Sequence, residues 1–194
     1  MPRKIAAPRL PDIPNEAMTP QQRTLRDAIM ASRKIAGGKL GGPFGVFLHA
    51  PVFGDIVQKL GEHCRYKTIL PPRLSEFAIL CVARLWRSQY EWFVHAPIAE
   101  KAGVTAKTIR DLQAGREPKS APKDEKAIWR LVVELHKTKR VGDRNYASVH
   151  ALLGDAGMVE FVGILGYYTL VAMSLNVFRV PLPEGKTPPF KEPG

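Results

Sequence analysis

Hydrophobic positions in this chain recur every three to four residues, in stretches separated by short breaks rich in Gly and Pro. Residues 1–18, with Pro2, Pro8, Pro11 and Pro14, predict an extended arm. Thr19-Pro20, a cap followed by proline, opens a helix expected to reach about Ala36. Gly37-Gly38 and Gly41-Gly42-Pro43 mark the loop behind it, and a short helix follows over Pro51 to Cys64. Pro71-Pro72 starts the next element. No Gly or Pro interrupts Leu74 to His95, which reads as one straight helix that Pro97 ends or kinks near His95. Gly103-Val104-Thr105 is a turn, with Thr105 capping a short helix that closes at Gly115. Lys123 to Arg140 is amphipathic, with Ile128, Leu131, Val132 and Leu135 on one face. Asp143 opens a helix that Gly154 closes, Asp155 to Phe178 forms a long apolar one, and the chain from Pro181 is again Pro-rich. No period-2 strand is present. The reading is an all-α bundle: an arm over 1–18, one helical domain over 19–180 and an extended tail over 181–194.

Composition changes this picture little. The 194 residues include 29 basic and 18 acidic ones, a net charge of +11, but the basic residues are spread along the chain and form no run. Cys64 and Cys81 are too far apart for a metal or redox spacing, and the start lacks the apolar core of a secretion signal; a cytoplasmic chain with free thiols is expected. Phe161 to Phe178 has no charged residue and is just long enough to cross a bilayer, but Tyr167, Tyr168, Thr169, Ser174, Asn176, Gly163 and Gly166 make a poor lipid-facing surface. A buried central helix or a subunit interface is the expectation there, and no membrane partner.

The candidate chemistry lies between Leu74 and His95. On a straight helix Glu76, Arg84, Ser88, Glu91 and His95 fall within one arc of about 120°, while nearly everything else is apolar. Buried charges are costly unless paired or used, so this stripe suggests a lined pocket. His95 can carry a proton near neutral pH, Glu91 can orient it, Glu76 is a second carboxylate, Arg84 can fork onto a substrate carboxylate, and Ser88 can donate a hydrogen bond. The competing interpretation is an internal ion-pair network. Glu91 and His95 with Glu76 could also share a metal ion, but no standard metal motif is present, and none is assigned.

Further pieces carry a resemblance. The run Gly42-Pro43-Phe44-Gly45, Leu48-His49 and Pro51 precedes Leu70-Pro71-Pro72-Arg73-Leu74-Ser75-Glu76. Then come Val82-Ala83-Arg84, Tyr90-Glu91-Trp92 with His95, Glu160 to Asn176 with Gly166-Tyr167-Tyr168, and Val180-Pro181-Leu182-Pro183. In this order they resemble the carboxymuconolactone decarboxylase-like family, which shares the AhpD fold, over roughly residues 20 to 185. The resemblance implies an all-α, AhpD-like helical bundle that assembles as a homo-oligomer, a trimer or hexamer. The family's signature is an early Glu followed by Cys-x-x-Cys-x-x-x-His. Glu76 and His95 match it, but Ser88 and Glu91 stand where the cysteines would be. Peroxide reduction in the AhpD branch uses a thiolate and a resolving thiol, which Ser and Glu cannot supply; a peroxidase would be one by family label only. The decarboxylase branch implies a lyase or isomerase without cofactors. It would use acid–base catalysis by Glu76, Glu91 and His95 on a small lactone or keto acid, held by Arg84, Ser88 and Arg73.

Other signals rank lower. Ala99 to Gly115 has the cadence of a helix-turn-helix, but its second helix is short and carries Asp111, so nucleic acid is not the expected partner. Gly38-Lys39-Leu40 lacks the hydroxyl of a phosphate loop. A binding or scaffold protein on the same fold, its stripe an ion-pair network, is the main alternative to an enzyme.

Overall fold

The structure is a computed structural model, and it describes residues 7–33 and 40–191. Its elements are a single 3-10 turn at Asn15–Ala17 and eight α-helices: α1 (Pro20–Arg33), α2 (Pro43–Phe47), α3 (Pro51–Tyr66), α4 (Pro72–Leu85), α5 (Gln89–Lys101), α6 (Ala106–Gln113), α7 (Lys123–Thr138) and α8 (Asp143–Val177). No strand occurs among the described residues, and the all-α class stands. The expected end of the first helix at Ala36 and the Gly37-Gly38 loop lie outside the described residues.

α4 is the centre of the bundle. Every residue from Leu74 to Ala83 is buried, because α5, α7 and α8 pack around it. α8 bends at Gly154, whose φ of +64° interrupts the helix at the position where the glycine predicted a stop. α8 is long and apolar enough to cross a membrane, yet half of its apolar 18-residue stretch is buried inside the protein. Its other face leaves Val159 and Val162 exposed.

Two expectations for the central segment are corrected. Leu74 to His95 is not one helix. α4 ends at Leu85 in a Schellman closure: Ser88 N–H bonds the carbonyl of Ala83 at 2.8 Å and Arg87 N–H that of Arg84 at 3.2 Å. Arg87 takes the left-handed conformation, φ 49°, that usually falls to glycine. The chain then turns back, and α5 packs along α4 as an αα-hairpin. Pro97 neither ends nor marks the boundary of α5, which runs through it to Lys101.

Both terminal segments are docked. Arg9 N–H bonds Phe178 O at 3.0 Å. In the tail, Gln89 exchanges two hydrogen bonds with the backbone of Phe190, at 2.8 and 2.9 Å, while the Phe190 ring packs edge-to-face on Trp92.

Candidate functional site

The hairpin assembles the site. On a straight helix Glu76 and His95 would stand about 28 Å apart. The reversal at Trp86 to Ser88 instead brings His95 Nδ1 to 2.7 Å from Glu76 Oε2, with both residues buried. Residues 76 and 95 are nearly symmetric about the turn, which is why an antiparallel hairpin pairs them. With Nδ1 engaged by Glu76, Nε2 is the ring nitrogen left free. Burial lowers the affinity of His95 for a second proton; Glu76 opposes this and the nearby Arg65 adds to it.

Glu91 lies one turn before His95 on α5. Both of its carboxyl oxygens are buried without a hydrogen-bond partner, as is the hydroxyl of Ser88. Burial pushes Glu91 well above the usual carboxylate range; the adjacent Ser88 hydroxyl weakly favours the ion but makes no bond of normal geometry. His95 is therefore biased toward neutral imidazole and Glu91 toward neutral acid.

Glu91 and His95 line a cavity of about 500 Å³ whose walls come from α1, α2, α3, α5 and α8. Aromatic rings dominate it: Phe44, Tyr66, Tyr90, Tyr167 and Tyr168. Tyr168 stands edge-on to His95, with ring centroids 5.0 Å apart, and Tyr167 edge-on to Tyr168 at 5.1 Å. Two glycines make room for these rings. A Cβ on Gly61 would lie 2.1 Å from the Tyr167 hydroxyl, and one on Gly42, itself at φ +63°, 2.4 Å from the Tyr90 ring. The cations at the cavity are Arg33 and Arg65. Arg33 is held by Gln58 and lies over the Phe44 ring. No carboxylate pairs with Arg65 among the described residues.

The arginines expected to bind substrate are elsewhere. Arg73 faces α7 and forms ion pairs of 2.5 Å with both Asp124 and Glu125. Arg84 Nε donates to Gln113 O at 2.9 Å, and its guanidinium lies over Phe190. Ser88 caps α5 behind Glu91 and does not line the cavity. The straight-helix reading put Arg84 and Ser88 on one arc with Glu76, Glu91 and His95, whereas Arg73 was expected at the substrate only through the family resemblance. Arg65 carried only a weak sequence signal, its place four residues after Gly61 on one face of α3.

Neither cysteine lines the cavity. Burial raises the Cys64 thiol to about 11 and Cys81 further still. No cluster of three His, Cys, Asp or Glu residues suited to a metal ion occurs among the described residues. A second groove of about 450 Å³ runs between α7 and α8, but it contains no histidine, and two of its charged groups are engaged, Glu134 by Asn145 and Arg130 by Glu117. The tyrosine-lined cavity is therefore the candidate site.

Comparison with known proteins agrees with this architecture. The fold is similar to that of a protein of unknown function from Agrobacterium tumefaciens, provisionally described as antioxidant defence protein AhpD. The TM-score is 0.64 at 16% identity, over 71% of this chain and 95% of that one. That likeness defines the class: an all-α protein of AhpD-like fold. No family model matches the chain, and no curated protein does.

Proposed function

We propose that this chain is an enzyme that works by acid–base chemistry without a cofactor, a lyase or isomerase acting on a small lactone or keto acid. The observation that carries this reading is the 2.7 Å hydrogen bond from His95 Nδ1 to Glu76 in the wall of the cavity. It fixes the tautomer and leaves Nε2 as the base. When a C–H bond beside a carbonyl breaks, the proton passes to Nε2, and Glu76 stabilises the resulting imidazolium. Glu91, displaced in the opposite direction from His95, is the acid of the pair. Arg65, without a carboxylate partner among the described residues, supplies the positive charge an anionic substrate needs.

Thiol peroxidase chemistry is disfavoured by the same surroundings, since both thiols are buried and resist ionisation. Duplex binding through α6 is disfavoured because Asp111 engages both Lys107 and Arg116. Homo-oligomer assembly is part of the proposal. The outer faces of α3 and α8 expose Val52, Ile56, Val159 and Val162, and the charges among them are paired internally, Lys59 with Asp55 and His63 with Glu160. On a chain of +11 this is the surface where two copies can meet without repulsion. A monomer in sedimentation equilibrium at high concentration would exclude it.

The direct test is a turnover screen of the purified protein against small lactone and keto acids across pH. His95→Ala should reduce the rate by about 10²- to 10⁴-fold. An unchanged rate in that variant overturns the assignment, and ligand binding without any turnover favours a binding protein instead.

A further inference from the structure

Glu91 has surroundings that a proton carrier alone does not require. Neither of its oxygens has a hydrogen-bond partner among the described residues. Leaving buried polar atoms unbonded is costly, and such groups persist where a ligand completes them. The carboxyl forms no ion pair among the described residues. Arg65, which pairs with no carboxylate among the described residues, acts on His95 and Tyr168 rather than on Glu91.

The cavity around it suits a flat molecule. Tyr90, Tyr167 and Tyr168 supply ring faces and edges, and about 500 Å³ accommodates a single ring with substituents. Glu91 and His95, four residues apart on α5, have Cβ atoms roughly 5–6 Å apart. Two groups at that spacing on one wall can serve neighbouring atoms of one ligand.

We propose that the carboxylic acid of Glu91 donates a hydrogen bond to the carbonyl oxygen of a flat, enolisable ligand, beside the carbon served by His95, and so holds the enolate that forms there. This rests on the acid–base reading of His95. It applies whichever bond breaks. If a C–H bond breaks, the proton goes to His95 Nε2. If a C–C bond to a carboxylate breaks, carbon dioxide leaves and the carbon later takes a proton. In both cases the electron pair arrives on the same carbonyl oxygen, and a neutral acid aimed at that oxygen stabilises it more than it stabilises the ground state. The bias of Glu91 toward its protonated form agrees with this role.

Phenols imitate an enolate oxygen on a planar frame and need no turnover, so they are the probes. The wild-type protein should bind 4-nitrophenol saturably, followed by tryptophan fluorescence and by the absorbance of the bound chromophore. Across substituted phenols compared as their phenolates, affinity should increase as the phenolate oxygen becomes more basic, because Glu91 is the donor. Glu91→Leu should weaken binding by at least about tenfold, and Glu91→Gln, which keeps a weaker donor, by less. Circular dichroism verifies that both variants are folded. Equal affinity in wild type and Glu91→Leu overturns the proposal, as does absence of saturable binding to the wild type. Phenol binding that depends on Glu91 in a protein that turns over no acid would remove the acid–base reading and keep the oxygen site. Turnover lost in His95→Ala without phenol binding would do the reverse.

Discussion

One turn of α4 carries two ionic arrangements, each a basic side chain set against carboxylate. Arg73 points to α7 and meets two carboxylates, Asp124 and Glu125. Glu76, three residues on, points to α5 and meets His95. Around Arg73 the charges are nearly exhausted by one another: burial alone would hold Asp124 up, but Arg73 brings it below its ordinary value. Among the described residues, one oxygen of Glu125 is left without a partner. Around Glu76 an imidazole nitrogen and a whole carboxyl remain unengaged beside a cavity, among the described residues. A closed network stabilises the bundle, whereas an open one keeps capacity for a ligand at some cost in stability. What remains unpaired separates the two.

Removing Arg73 should break that comparison most severely. Arg73→Ala leaves Glu125, almost fully buried, and Asp124 without their cation. Loss of one partner of a buried pair costs about 3–5 kcal/mol, and the partial exposure of Arg73 and Asp124 places this case at the lower end, about 3 kcal/mol. Chemical denaturation should show that loss, while the phenol affinity of the folded protein stays as in wild type. A drop in affinity at constant stability would mean that Arg73 does reach the ligand.

Glu91→Leu should act in the opposite direction. It removes an unpartnered buried carboxyl and adds apolar packing, so the folded state should gain about 1–2 kcal/mol at neutral pH. The sign with pH follows from the proton that native Glu91 retains. Its pKa is raised in the folded state above the ordinary 4.5, so its contribution is fully present below 4.5 and is lost as pH rises toward the raised value. The advantage of the variant should therefore be larger at pH 7 than at pH 4. His95 contributes with the contrary slope: burial lowers its pKa below 6.5, and its contribution is lost as pH falls below 6.5. An advantage of Glu91→Leu that shrinks between pH 4 and 7 would show that native Glu91 is ionised and has a partner.

How much of this was legible beforehand depends on local chemistry. Gly103 and Gly115 end α5 and α6 in the same Schellman closure that ends α4 and α8, and the glycines announce it. At the ends of α4 and α8 that position is Arg87 and Arg179, at φ 49° and 51°. Nothing in arginine signals a left-handed residue, so the helix from Leu74 was read as continuous. Glu76, Glu91 and His95 were selected by type and by resemblance, and the hairpin places them together for a reason the straight-helix arc did not contain. The rest of the cavity depends on tertiary contact. Arg65 and Tyr66 reach it only because α3 lies against α8 through Gly61. Arg73 was assigned to substrate through the family resemblance, and its true partners Asp124 and Glu125, 51 and 52 residues on, gave no local sign of the ion pairs.

The smallest effect isolates the reversal that joins Glu76 to His95. Arg87 is exposed, and its left-handed conformation costs an L-residue with a side chain about 1–2 kcal/mol. Arg87→Gly removes that strain but raises the entropy of the unfolded chain, which takes back up to about 1 kcal/mol. A net gain of about 0.5–1 kcal/mol should appear as a higher denaturant midpoint with an unchanged slope. The substitution touches neither ionic set, so phenol binding should stay at the wild-type value. The closed network of Arg73 and the open one of Glu76 would then differ through their own partners and not through the turn. Destabilisation by Arg87→Gly would instead mean that the arginine side chain holds the hairpin shut, making the approach of His95 to Glu76 depend on a surface contact.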